Sequence, residues 1–171
     1  MSHTISTEDF VEIVDASIAL ELHASEIYFL FYKQFPMDAN FWWALVEEEK
    51  NHAALIRSGK EYFEPVKKFP ERLLSSNIDE LHQINRKLLR FIAQYNEGVV
   101  PTREMAFNGA LAIEKSAGEI HFQRFMEDTT AMSNIEQVFY RLNSDDLEHV
   151  KRIQAYMREH DIPVDETVHL F

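Results

Sequence analysis

The chain repeats itself, and the repeat limits what it can fold into. Residues 18–29, IALELHASEIYF, align without gaps to residues 111–122, LAIEKSAGEIHF. Residues 48–56, EEKNHAALI, align in the same way to residues 145–153, DDLEHVKRI. The first match sets Glu21 against Glu114, Glu26 against Glu119 and Tyr28 against His121; the second sets Glu49 against Asp146 and His52 against His149. Each half thus offers an acid on one helix and a carboxylate-x-x-His on the next. Two copies of a helical hairpin, each with an apolar face to bury, predict an all-α fold in which four helices pack around one core.

Local signals divide the chain accordingly. The first hairpin covers about 7–63: a helix capped at Ser6/Thr7 and running to about Phe35, a stop at Pro36, and a second helix from about Ala39 to Phe63 that Asp38 can cap. The connection covers about 64–100, with Pro65 and Pro70, then an extra helix from about Asn77 to Asn96, ended by Gly98. The second hairpin covers about 101–160. Pro101 and Thr102 open its first helix, which continues to about Asp128; Ser133 and Glu136 form a capping box for its second, and His160, Asp161 and Pro163 end it before a short tail. At 171 residues this is one domain with a substantial core. The low content of glycine (four) and proline (five) favours long helices over a sheet with many turns.

On each helix an apolar stripe is interrupted in its middle by an acid. The first helix places Phe10, Val14, Glu21, Ala24, Tyr28 and Phe31 on one face, and the second Trp42, Leu45, Glu49, His52 and Ile56. In the second hairpin the stripes read Phe107, Ala110, Glu114, Ala117, His121 and Phe125, then Ile135, Leu142, Asp146, His149, Ile153 and Tyr156. Glu21 and Glu114 each lie about 16 residues before a turn, and the carboxylate-x-x-His pairs begin about 12 and 16 residues after one. At roughly 1.5 Å of rise per residue, all six groups fall at about the same level.

Carboxylate-x-x-His puts both side chains on one helix face. Ions of the iron type accept carboxylate oxygen and imidazole nitrogen together. Four carboxylates facing one apolar core are untenable without compensation. No lysine or arginine lies on the inward stripes at this level, so two divalent ions are the expected counter-charge. The candidate metal ligands are therefore Glu21, Glu49, His52, Glu114, Asp146 and His149, with iron expected first and manganese or zinc as alternatives. The bland alternative is that some acids face solvent and the histidines are satisfied core residues.

These motifs resemble the ferritin-like di-iron superfamily, whose plan is one Glu from each of two helices and a Glu-x-x-His from each of the other two. The resemblance is nearest to rubrerythrin-like and bacterioferritin-like members. It implies a ferritin-like four-helix bundle with an extra helix in the crossover. Glu21 and Glu114 would then be terminal carboxylates, Glu49 and Asp146 would bridge, and His52 and His149 would bind one metal each. It also implies activation of dioxygen or peroxide, or oxidation of ferrous iron. Asp146 departs from the plan, standing where a longer Glu is usual. The chain has no cysteine and hence no rubredoxin-like domain, and Ala117 replaces a further carboxylate of the rubrerythrins. Lys50 stands where bacterioferritins carry a haem-ligating methionine, so no haem is expected.

The remaining features narrow the reading. Tyr28 and His121 are equivalent in the repeat and are candidates to hydrogen-bond a ligand or relay protons or electrons, against a plain core-packing role. Ala24, Ser25, Ala117 and Gly118 suggest close helix approach or room for a small molecule, and His23 falls off the ligand stripe. Phe41, Trp42 and Trp43, with Phe29, Phe31 and Phe35, read as core, or as a homodimer face if Trp43 points outward. A net charge of −12 argues against nucleic acid. The absence of cysteine excludes thiol chemistry and makes an external electron donor necessary. Neither a signal peptide nor an apolar span of about 18 residues is visible, so a cytoplasmic protein without membrane contact is expected. Three functions follow: a di-metal oxidoreductase acting on dioxygen or peroxide, iron storage or detoxification, and a structural or partner-binding bundle with a vestigial site.

Overall fold

The computed structural model describes residues 7–63, 78–122, 148–165 and 167, with side chains at all of these except 7, 9, 10, 62, 63 and 117–122. The described residues are all-helical, with five helices packed together. They are α1 (Thr7–Gln34), α2 (Ala39–Phe63), α3 (Ile78–Asn96), α4 (Arg103–Phe122) and α5 (148–159), with a single 3₁₀ turn, Pro36–Asp38, between α1 and α2.

Contacts fix the direction of each helix. Ser25 donates to the Val46 carbonyl and Lys60 to Asp15, so α2 runs back along α1. Asn85 donates to the Ala16 carbonyl and Tyr95 to the Leu30 carbonyl, so α3 runs parallel to α1. That helix carries the chain back to the end where α2 began. As a result α4 starts beside α2 and runs parallel to it: Arg103 binds Asp38 and Phe107 lies 4.4 Å from Trp42, ring to ring. In α5, Arg152 reaches Glu48 and Tyr156 reaches Asp38, so α5 is antiparallel to α2. One face of α3 is apolar, with Leu81, Ile84, Leu88, Phe91 and Ile92 buried, and this face packs on α1.

The helix ends follow their local chemistry. Gly98 has φ 96°, and the bonds Gly98 N–H to Tyr95 and Val99 N–H to Gln94 close α3 in a Schellman motif. Asp161, with φ 53°, occupies the same position after α5, and the Ile162 N–H reaches back to Met157. At the start of α4 the Thr102 hydroxyl accepts the Met105 N–H at 3.2 Å, as the Pro101–Thr102 signal predicts.

The expected Asp38 cap is replaced by a cross-helix contact. The Asp38 carboxylate is buried and accepts from Arg103 Nε at 2.8 Å, Arg103 Nη2 at 2.7 Å and the Tyr156 hydroxyl at 2.9 Å. A guanidinium fork satisfies both carboxylate oxygens at once, which a backbone cap cannot do. The aromatic run also divides. Trp42 and Phe31 are fully buried and Phe41 packs against the core, whereas Trp43 and Phe29 are 42 % and 39 % exposed, edge to face. Three consecutive helical residues span about 200° of the helix circumference, so the run cannot all face inward, and Trp43 is the one turned out. The 3-residue turn and the two hairpin partners thus set Trp42, Tyr28, Phe31 and Phe107 as a packed aromatic floor beneath the polar middle of the bundle. The expected helix end near Asp128 and the capping box at Ser133 and Glu136 lie outside the described residues.

Candidate metal centre

Five of the six expected ligands meet in the middle of the core. Glu21 on α1, Glu49 and His52 on α2, Glu114 on α4 and His149 on α5 are all buried. They form two triads that share one residue: Glu21, Glu49 and His52, and Glu49, Glu114 and His149. Within each triad the ligand atoms lie within 4.8 Å of one another. Asp146 lies outside the described residues, as does the side chain of His121. The apolar neighbours Trp42, Leu45, Ala53, Ile56, Phe107, Ala110 and Ile153 are each buried too, which is what holds the acids out of water.

The imidazoles present the same nitrogen to the cluster. His52 Nδ1 is 3.3 Å from Glu49 Oε2 and 3.7 Å from Glu21 Oε2. His149 Nδ1 is 3.1 Å from Glu49 Oε1 and 3.2 Å from Glu114 Oε2. Glu49 therefore turns one oxygen toward each ring. The rings themselves lie 5.4 Å apart, near parallel. One N–H proton satisfies one carboxylate well, yet each Nδ1 faces two. A cation accepts donors from all of these atoms together, and carboxylate oxygen with imidazole nitrogen is a suitable set for a divalent transition metal. The residues present fit such an ion.

The electrostatics say what the chain must otherwise do. Burial alone would lower the His52 pKa, but Glu21 and Glu49 outweigh it and push it up to about 11. Burial opposes protonation of His149 as well, and Glu114, Glu48 and Glu49 together push it far above the ordinary imidazole range. For Glu49, burial and the neighbouring Glu114 raise the carboxyl, and the contacts with His149, His52 and Glu21 more than offset them. Protons on both imidazoles thus supply two positive charges against three described carboxylates. A bound metal has to displace those protons, because a ligating imidazole is neutral.

Tyr28 is placed against the cluster as the repeat suggests. Its hydroxyl donates to Glu114 Oε1 at 2.5 Å, and its ring stacks on Trp42 at 6.0 Å. Burial, then the charges of Glu114 and Glu49, hold its proton on far above the usual phenol range. The ring therefore packs in the core while the hydroxyl holds one of the clustered carboxylates. Ser25 closes the α1–α2 contact through Val46, the packing role of a small residue. His23, off the stripe as expected, donates to Asn85 on α3 at 2.8 Å.

Two participants had no signal on the inward stripes. Glu48 Oε2 lies 3.2 Å from His149 Nε2, and both Glu48 oxygens accept from Arg152. Burial raises the Glu48 carboxyl, but Arg152 and His149 outweigh it and lower its pKa to about 2. The cation absent from the inward stripes at this level reaches the cluster from its solvent side. The only sequence hint is that Glu48 and Arg152 neighbour the two carboxylate-x-x-His motifs. Comparison with protein-family models, with curated proteins and with solved structures finds no match for this chain in any of the three.

Proposed function

We propose that the chain is a ferritin-like di-metal carboxylate protein, with iron as the first expectation, that acts as an oxidoreductase on dioxygen or peroxide or oxidises ferrous iron. The observation that carries this is the sharing of Glu49 between two buried triads, each with a second carboxylate and a ring nitrogen directed at the same point. A single-ion site needs one triad; a doubled one, bridged by a carboxylate, is the donor plan of di-metal bundles. The helix directions are consistent with it, since α1 and α5 run one way, α2 and α4 the other, and α3 forms the long crossover that such a topology requires.

In this reading Glu21 and His52 would hold one ion, Glu114 and His149 the other, and Glu49 both. When bound, a pair of iron ions supplies one-electron steps that together match the two-electron reduction of a peroxide. The chain does the rest. Tyr28 fixes Glu114 by donating its hydroxyl hydrogen to Oε1. Trp42, Phe107 and Leu45 exclude water from the floor of the site, which strengthens every charge interaction there. The absence of cysteine leaves electron supply to a separate donor.

The test is metal content per chain by elemental analysis, before and after anaerobic loading with ferrous iron. Wild type should hold about two ions, and a His52→Ala, His149→Ala variant should lose most of both. Dioxygen or peroxide consumption with an external reductant should then follow the metal. A wild-type protein that stays nearly metal-free after loading would sink the proposal. Uptake of many irons per chain would replace it with storage.

A further inference from the structure

His149 has a carboxylate at each edge of its ring, and the two edges differ in their surroundings. Its Nδ1 faces Glu49 and Glu114 inside the core, at 3.1 and 3.2 Å. Its Nε2 faces Glu48 alone among the described residues, at 3.2 Å. The His149 side chain is 3 % exposed, while those of Glu48 and Arg152 are 35 % and 41 % exposed. Glu48 is thus a half-exposed lid over a buried ring. A half-exposed glutamate would ordinarily move among rotamers, but both of its oxygens are taken by Arg152, through Nη1 at 2.9 Å and through Nη2. The guanidinium is a planar, pre-organised fork, so this contact holds the carboxylate in one orientation. Arg152 stands one helical turn beyond His149 on α5, and Glu48 stands on α2. The pair therefore ties the two helices together at the height of the ring.

We propose that Glu48, clamped by Arg152, is a positioning residue for His149. It accepts the Nε2–H proton and so commits the Nδ1 lone pair to a divalent cation at the Glu49–Glu114–His149 triad. The chemistry is that of a neutral imidazole, which has one N–H and one lone pair; whichever nitrogen donates, the other ligates. Without Glu48 nothing among the described residues holds the proton at Nε2, and the alternative tautomer would turn an N–H toward the metal position. A carboxylate on the far nitrogen also raises the basicity of the ligating one. The inference rests on the di-metal reading above, and it assigns to one of the two ions a dependence on Glu48 that the other lacks.

The experiment is an anaerobic titration of the full chain with cobalt(II), followed by visible absorption and by calorimetry. Wild type should take up two ions. Glu48→Ala should weaken one of them by about 10- to 100-fold and alter its absorption bands, leaving the second unchanged. Glu48→Gln, whose amide oxygen still accepts an N–H, should recover most of that loss. Arg152→Met, which frees Glu48 without removing it, should fall between. A merely structural role would shift the melting temperature of the metal-free protein without separating the two affinities. Equal weakening of both ions, or of neither, in a Glu48→Ala protein would overturn the role of Glu48 and leave the metal site standing. A wild type that binds no cobalt would overturn both. Should Glu48→Ala fail to fold, Glu48→Gln and Arg152→Met carry the same comparison, and two unchanged affinities in Arg152→Met would overturn the clamp.

Discussion

Where α1 turns into α2, Asp38 is held by Arg103 and Tyr156; about three turns along α2, Glu49 stands with Glu21 and Glu114 against His52 and His149. Both groups are polar clusters built around buried carboxylates: the first joins the 3₁₀ turn to two helices, and the second joins four helices. The first is closed by the chain itself: one carboxylate, one guanidinium, and a donor for each oxygen. The second has three buried carboxylates with two imidazoles among them, and its one guanidinium, Arg152, reaches it only through a fourth carboxylate, Glu48. Buried charge is tolerated when it is paired, and the two clusters show two ways of pairing it. A cluster that balances internally can be a structural tie. One that relies on titratable rings is open to exchange of those protons for a cation, and this is why the second, not the first, is the candidate site.

The sharpest break between the two is their response to metal. Saturating a site at about 100 times its dissociation constant stabilises a protein by about 2.7 kcal/mol, so two sites give about 5 kcal/mol. Chemical unfolding of the wild type with and without added divalent ion should show a gain of that order. Glu49→Ala should abolish it, because Glu49 serves both triads. If Asp38→Asn abolished it as well, the two clusters would not be independent.

The converse test is Arg103→Ala. It leaves the Asp38 carboxylate buried with only the Tyr156 hydroxyl, and breaking a buried pair in this way costs about 3–5 kcal/mol. Arg103 itself is 35 % exposed, so water can partly replace it and the loss should lie near the lower figure. The loss, read from urea unfolding, should be the same in metal-free and metal-loaded protein.

A tyrosine hydroxyl donates to a buried carboxylate in each cluster, which permits a matched pair of changes. Tyr28→Phe removes the donor to Glu114, and Tyr156→Phe removes one donor to Asp38. Hydrogen bonds to charged groups are worth about 1.5–3 kcal/mol. Tyr28 is fully buried beside excess acid and should reach about 2 kcal/mol in the metal-free protein; Tyr156, with Arg103 still in place, should cost about 1 kcal/mol. Equal losses would mean that the surplus of acid in the middle cluster has no energetic consequence.

How far these clusters were legible in the sequence follows from the range of the signals. Glu21, Glu49, His52, Glu114 and His149 interrupt apolar stripes of helical period, and a repeat marks the same places twice, so local pattern alone brings them to one level. Asp38 sits just before a helix, where the local inference is a cap; its actual partners are 65 and 118 residues away, beyond any periodic signal. Glu48 adjoins Glu49 but lies off the inward stripe, where an acid ordinarily means a solvated face. Phe41, Trp42 and Trp43 are contiguous, so composition groups them while helical geometry separates Trp43 from the other two. The helix directions also lay beyond local reading, because only the packing of α3 along α1 shows which end of the bundle α4 starts from.

The acid limb of the stability curve isolates the closed cluster and carries the least free energy. Burial would raise the Asp38 carboxyl, but the Arg103 fork and the Tyr156 hydroxyl outweigh it and hold it below the ordinary carboxylate range. A carboxyl whose folded pKa is depressed contributes stability that is present in full above its unfolded pKa, near 4, and is lost as pH falls through the folded value. Asp38→Asn removes that titration. Metal-free wild type and Asp38→Asn should therefore differ in stability by a constant amount from neutral pH down to about pH 4, and the difference should shrink below it. Denaturant midpoints measured from pH 7 to pH 2 would show this as converging curves. Parallel curves over the whole range would mean that Asp38 has the same pKa folded and unfolded, and that Arg103 holds it by geometry alone.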